Sequence, residues 1–328
     1  MIKQSHRRDI YLLFATRIIR MFCYGFLSVI LVLYLISAGL SEGQAGLLFT
    51  LTLIGDAAIS LWLTTHADQF GRKHTLLIGA FLMFAAGIVF IITNNLLLLI
   101  VAAIIGVISP NDKEIGPFLA VEQAGLTQLI ADQARTKMFA WYNLGGSFSS
   151  AVGALAGGWL AQILQNNGWS AFESYRFILI GYAIGGVLLA FLFFQLSPNI
   201  EIKNAVMQTK KTLGLHRSKN VVFKLSALFA LDAFAGGLLL QSMMAYWFYI
   251  KFGVNTGVLG SIFFGANILA GISALLAVKL AKKFGLINTM VFTHIPSNIL
   301  LILVPLMPTL PLAIGLLLLR FSISQMDV

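Results

Sequence analysis

Charge, cysteine and histidine are all scarce in this chain. Of 328 residues only 10% are charged, while 59% are hydrophobic and the mean hydropathy is +0.89. So few charges cannot cover so much apolar surface on a globule, and a soluble fold is excluded. Cys23 is the single cysteine and lies inside an apolar run, which rules out an intrachain disulfide. The five histidines are scattered singly, with no His-x-x-x-His, no metal-spaced Cys or His set, no Gly-x-Ser-x-Gly and no phosphate loop. An enzyme is not expected, nor a metal or a cofactor. Acids are outnumbered by bases, 12 against 22, for a net charge of +10. A nucleic-acid binder gathers its bases into one patch on a soluble fold. Here they punctuate hydrophobic runs, so the expected partner is the lipid bilayer and not nucleic acid.

The bases are unevenly placed. Sixteen fall before the first run, after the second, fourth and eighth, and between Lys203 and Lys224, against Arg176 and Lys251 on the other side. That bias predicts a cytoplasmic N-terminus and central loop, and a bacterial-type inner membrane is the expected location. The remaining four, Arg17, Arg20, Lys113 and Arg320, lie within runs. The first run, Ile10 to Ile36, is too long for a signal-peptide core and is read as a helix.

The chain is organised around Ala67-Asp68-Gln69-Phe70-Gly71-Arg72-Lys73. This charged turn joins two apolar runs, Gln44 to Thr65 and Thr75 to Thr93, each long enough to cross ~30 Å of hydrocarbon as a helix. The pattern returns 214 residues later: Gly39, Gly43, Gly46, Ala67, Phe70 and Gly71 meet Gly253, Gly257, Gly260, Ala281, Phe284 and Gly285 at one constant offset. A helix-loop-helix-turn unit has been duplicated, as in carriers made of two repeated halves.

Asp68-Gln69-Phe70-Gly71-Arg72-Lys73 resembles the signature of the major facilitator superfamily, with Thr64 where Gly is usual and Gln69 where a base is common. In the second copy Lys282 replaces the acid. The resemblance implies an all-α polytopic membrane protein of two pseudo-repeated bundles that rock around a central site. It also implies that Asp68, Gly71, Arg72 and Lys73 form a gating turn, in which the acid and bases pair with neighbouring helices when the cytoplasmic side is closed. On the residues alone, Asp68 is expected to accept hydrogen bonds from exposed amides at a helix end. Small residues at Gly145, Ser149, Gly153, Gly157 and Ala161 share one helical face and predict close packing. The stretch Gly153 to Gly158 also resembles the superfamily's antiporter signature, with Ala154 in place of its proline.

Charges within apolar runs are candidate functional groups. Arg17 and Arg20 share a face of the first run; Arg17 is expected to snorkel toward the cytoplasm, whereas Arg20 either forms a structural ion pair or faces a cavity. A pair between Arg20 and Asp56 would account for both. The fourth run lasts only 13 residues before Ser109 to Pro117 interrupts it. A broken helix of this kind must be buried or line water and points to a transport site, unless its second part is an interfacial helix. Asp112, Glu114 and Glu122 lie in or beyond the break, Glu122 nearer the cytoplasm; Asp232 lies in the seventh run and Arg320 in the tenth. By resemblance, these runs line the central cavity.

The expectation is a secondary active transporter moving a small molecule by alternating access, coupled to a proton or another ion. Glu114 and Asp232 are the first candidates for proton or substrate contact, with Arg20 and Arg320 as counter-ions or anion-attracting groups. The domains are predicted as a six-helix bundle over 1–196, a basic linker over 197–220 and helices 7 to 10 over 221–328. The superfamily commonly has about twelve helices, and ten are counted here. This leaves an alternative in which the chain is a non-transporting fragment or a membrane interaction protein, with a partner chain covering its second half.

Overall fold

Short polar residues start four of the helices, and Gly71 and Gly285 end the two copies of the repeated helix. Ser41 accepts a hydrogen bond from the Gln44 amide while the Gln44 side chain accepts from the Ser41 amide, so two otherwise orphaned donors are satisfied reciprocally. Ser170 and Glu173 repeat this capping box, and Asn95 and Asn255 cap two further helices. The computed structural model describes residues 4–201, 220–221, 223–228, 230 and 240–324. Among them no β-strand occurs.

In chain order the helices are α1 (Gln4–Ser28), α2 (Leu31–Ser37), α3 (Glu42–Phe70), α4 (Arg72–Ile92), α5 (Leu96–Ile105), α6 (Phe118–Leu129), α7 (Asp132–Asn166), α8 (Ala171–Phe194), α9 (Gln241–Phe252), α10 (Thr256–Phe284), α11 (Leu286–Leu303) and α12 (Leu310–Ile323). Seven helices among the described residues are long and apolar enough to cross a membrane. That is fewer than the ten expected runs, for identifiable reasons. The fourth run is divided between α5 and α6, residues 222, 229 and 231–239 of the seventh lie outside the described residues, and α12 is 14 residues long. The first run is also divided, between α1 and α2, where the Ser28 carbonyl accepts from Ser242 Oγ at 2.6 Å.

Residues 106–117, between α5 and α6, are irregular yet lie among helices, with Val107, Ile108 and Ser109 buried. Polar backbone at that depth needs partners. The Tyr182 hydroxyl donates to the Val107 carbonyl, Ser109 Oγ donates to the Lys113 carbonyl at 2.8 Å, and Asp56 accepts from the Gly116 amide at 2.7 Å. Asp112 (φ 48°) and Gly116 (φ 76°) turn the chain through left-handed conformations, which Asp tolerates better than most residues and Gly adopts freely. The helix α6 packs one face, Phe118, Val121, Glu122, Gly125, Leu126 and Leu129, into the protein.

The long helix α7 packs on both α1 and α10. Gly153 and Gly157 lie so close to α1 that an added Cβ would stand 2.1 Å from the Phe22 carbonyl oxygen and 2.2 Å from that of Phe26. Gly158 faces α10 instead, where an added Cβ would be 2.4 Å from the Thr256 carbonyl oxygen and 2.7 Å from Gly260 Cα. Apolar side chains gain little by leaving lipid for one another, so such backbone approach supplies the dispersion contact that holds helices together. Gly145 is less crowded, 4.0 Å from Ile18, and Ser149 donates to the Ile18 carbonyl at 2.9 Å.

Candidate functional site

Two arginines and two glutamates meet where α1 faces the broken helix. Arg20 is fully buried. Its Nη1 and Nη2 donate to the two carboxylate oxygens of Glu122 at 2.9 and 2.7 Å, while its Nε reaches Glu114 Oε1 at 2.6 Å. The opposite Glu114 oxygen is taken by Arg17. Thr16 Oγ1 donates to Glu122 at 2.8 Å, and the Tyr142 hydroxyl donates to the same carboxylate. Aromatic faces complete the enclosure: the Arg20 guanidinium lies 4.5 Å from the Phe118 ring centroid and that of Arg17 4.7 Å from Tyr142. Two positive and two negative groups cancel, and the planar guanidinium of Arg20 matches a carboxylate in fork geometry. Setting each charge beside an opposite one is what permits four of them in a buried setting, although Arg17 Nε has no hydrogen-bond partner among the described residues.

Two expectations are corrected by this arrangement. Arg17 does not snorkel; it is buried because Glu114 offers a counter-ion that water would otherwise replace. Arg20 does not pair with Asp56, whose carboxylate accepts instead from the Gly116 amide and Ser60 Oγ. Glu122, expected nearer the cytoplasm, is fully buried in protein. Single-span periodicity fails here because the break advances the chain without the regular helical rise. The Tyr24 hydroxyl, also buried, has no hydrogen-bond partner among the described residues.

Asp112 has different company. Its Oδ2 accepts from Ser150 of α7 at 2.9 Å and from Asn267 of α10 at 2.7 Å, so its named partners are neutral and come from both sides of the duplication. Around it, the Pro110 carbonyl accepts from the amide and hydroxyl of Ser242, Asn111 Oδ1 accepts from the Gln241 amide, and Gln241 donates to Ser28 Oγ. The breaks after α1 and α5 thus meet the start of α9. No feature of spacing marked Gln241, Ser242 or Asn267 beforehand, since each takes its meaning from a helix more than a hundred residues away. Asp232 lies outside the described residues. Arg320 sits on α12 with its guanidinium 4.7 Å from the Phe321 ring centroid.

At the charged turn, Gly71 takes φ 92° and separates α3 from α4. Arg72 Nε pairs with Asp68 at 2.9 Å, and its Nη1 donates to the carbonyls of Ala124 and Ile200 at 3.0 and 3.1 Å. Lys73 Nζ donates to the Leu196 carbonyl. Asp68 is not the acceptor for the exposed amides: Glu201 takes the Arg72 amide at 2.7 Å and the Lys73 amide at 3.0 Å. An acid at the start of α4 suits the positive end of the helix dipole, but it arrives from 128 residues away and could not be picked out locally.

The family model described as Major Facilitator Superfamily matches residues 13–326. The chain belongs to the major facilitator superfamily. It is therefore a multi-pass membrane transporter for a small molecule and not an enzyme. An uncharacterized membrane protein of Saccharomyces cerevisiae (strain ATCC 204508 / S288c) is 31% identical over 352 residues, covering 98% of this chain and 79% of that protein. Among solved structures, a bacterial homolog to the human lysosomal transporter Spinster, in an inward-facing and unoccupied conformation, aligns with a TM-score of 0.70 at 15% identity, over 99% of this chain and 74% of that one. The nucleoside transporter NupG aligns at 0.68 and 14% identity, over 97% and 78%. A D-xylose-proton symporter aligns at 0.61 and 16% identity, over 97% and 79%. At these identities the likeness is one of fold.

Proposed function

We propose that this superfamily member is a secondary active transporter working by alternating access, with proton movement coupled to substrate movement at the broken helix. The observation that carries this reading is the position of Asp112, a carboxylate shared between α7 of the first half and α10 of the second. Rocking the halves apart removes the Asn267 contact and admits water, so motion and protonation state are linked. Glu114 and Glu122, each held by an arginine, fix the geometry behind it and hold a polar, charge-balanced wall for substrate. The parts that rock are residues 1–196 and 221–328, joined by the basic linker.

Contacts between the halves support a state closed at the end bearing Gly39 and Gly253. There Tyr246 donates to Glu42 at 2.8 Å, Trp159 donates to Ser261 at 3.0 Å, and Gly158 abuts Gly260. On the orientation the charge bias predicts, with the Gly71 turn in the cytoplasm, this state opens toward the cytoplasm.

The test is a pyranine-loaded proteoliposome challenged with a panel of sugars, nucleosides and organic ions. One member should shift internal pH with the wild-type chain. Asp112→Asn keeps the left-handed backbone tolerable while removing the titrating group, and should abolish gradient-driven accumulation yet retain substrate exchange. Proton flux unchanged in this variant would overturn the assignment of Asp112.

A further inference from the structure

Lys113 stands in the break between α5 and α6, and it is exposed while the residues around it are held. Pro110 and Asn111 bond the start of α9, Asp112 bonds α7 and α10, both arginines of α1 grip Glu114, and the Gly116 amide reaches Asp56 of α3. The segment is thus ringed by helices from both halves. Asn267, which meets Asp112, lies ~16 Å along α10 from its nearer end. That is too deep for the adjacent lysine to snorkel to either surface. An ammonium exposed at such depth faces water and not hydrocarbon, so the space beside it is an aqueous cavity between the halves. Ser109 Oγ donates to the Lys113 carbonyl at 2.8 Å and fixes where the side chain starts. Among the described residues the ammonium makes no ion pair within 4.0 Å and no hydrogen bond. Arg17 and Arg20 are occupied by glutamates, and Asp112 directs its Oδ2 to Ser150 and Asn267.

We infer that Lys113 is the substrate-recognising cation of this cavity and that the substrate is a small organic monocarboxylate. The inference deepens the transporter reading and rests on it, since the cavity is taken as the substrate's path. An ammonium binds an anionic oxygen through charge-assisted hydrogen bonds, roughly twice as strong as those to the neutral hydroxyls of a sugar. As a point charge it needs no fork of two oxygens. One ammonium balances one negative charge. A second charge on the ligand, as on a phosphate ester, would be left facing Asp112. A monocarboxylate that enters together with a proton on Asp112 brings no net charge, so its accumulation follows the pH gradient and not the membrane potential.

Two measurements on the whole chain test this. In nanodiscs, which expose both faces, Lys113→Cys on a Cys23→Ala background should react with the impermeant anionic reagent 2-sulfonatoethyl methanethiosulfonate, whereas the buried Cys23 of the wild type should not. An inert thiol in the Lys113→Cys chain overturns the inference. Binding is read as the rise in melting temperature of the purified protein with lactate, nicotinate and benzoate, each beside its amide. At least one acid should stabilise the wild type while its amide does not. Lys113→Met should weaken that binding about tenfold or more, and Lys113→Arg should restore it in part. Stabilisation by the amides as well, by none of the compounds, or equally in Lys113→Met overturns the inference. Where Lys113→Met does not fold, rescue by Asp232→Asn makes Lys113 a structural ion-pair partner and also overturns it; without rescue, the thiol reaction and the affinity shift in Lys113→Arg decide. Acid-specific binding without proton flux keeps this site and removes coupled transport. Proton flux driven by a sugar or nucleoside, with no acid bound, removes this site and keeps the transporter.

Discussion

The two copies of the duplicated unit share a backbone and differ in what surrounds it. Both helices, α3 and α10, are 29 residues long and start and stop at the same 214-residue offset. Their preceding glycines, Gly39 and Gly253, have φ of 94° and 62°, and their closing glycines, Gly71 and Gly285, have φ of 92° and 86°. Ser41 and Asn255 cap them with nearly the same backbone angles. The neighbours have nevertheless diverged. Gly46 lies 3.9 Å from the end of Met243 by the added-Cβ measure, whereas its counterpart Gly260 is pressed to 2.7 Å from the Ala154 carbonyl oxygen. The Gly71 turn is tied down by Arg72 and Glu201; an added Cβ at Gly285 would meet nothing within 4 Å among the described residues. Duplication therefore preserved local conformation, which caps and glycines encode within a few residues, while contact roles were reassigned by the partners.

Paired substitutions test that divergence. The largest effect is expected from Gly260→Val, whose branched side chain must push α10 away from the α7 backbone at a cost of about 3 kcal/mol. The equivalent Gly46→Val should change the melting temperature of the purified protein little, and equal losses from the two would mean the copies are still interchangeable. Next comes Arg72→Ala. It strands the buried side of the Ala124 and Ile200 carbonyls and should cost about 2 kcal/mol, while Lys283→Ala at the exposed second turn should stay within about 0.5 kcal/mol. Gly71→Ala and Gly285→Ala should each lose about 1 kcal/mol or more through their positive φ. The first should lose slightly more, because His74 Nδ1 is 3.1 Å from the added carbon. Smallest is Glu201→Gln, whose single carboxamide oxygen can accept from only one of the Arg72 and Lys73 amides and which drops the charge facing them, about 1 kcal/mol. Its signature is faster proteolysis after residue 201 with the second turn unaffected.

Much of the fold was legible because it is written in short-range patterns. Membrane-length apolar runs, the repeat at Gly39 and Gly253, the interruption near Ser109 and the turn resembling the superfamily signature all needed only local reading. The interior of the site was less legible. Arg17, Arg20, Glu114 and Glu122 could be singled out as charges in apolar surroundings, yet their pairing could not be ordered. The choice between Asp56 and the two glutamates depends on how residues 106–117 fold back. Glu201 looked like one more polar residue at the start of a linker, and its role depends on the chain returning to the Gly71 turn.

By itself the sequence determined that this protein lives in a membrane, that it is helical, that it carries a duplicated unit and that its fourth run is broken. Each follows from hydropathy, caps and glycines acting over a few residues. Tertiary structure alone decided which arginine holds which glutamate, that Asp112 is shared across the duplication through Asn267, and that equivalent glycines carry unequal packing. Those outcomes depend on distances between residues far apart in the chain, which in a membrane are set by close backbone approach and by the need to pair every buried charge.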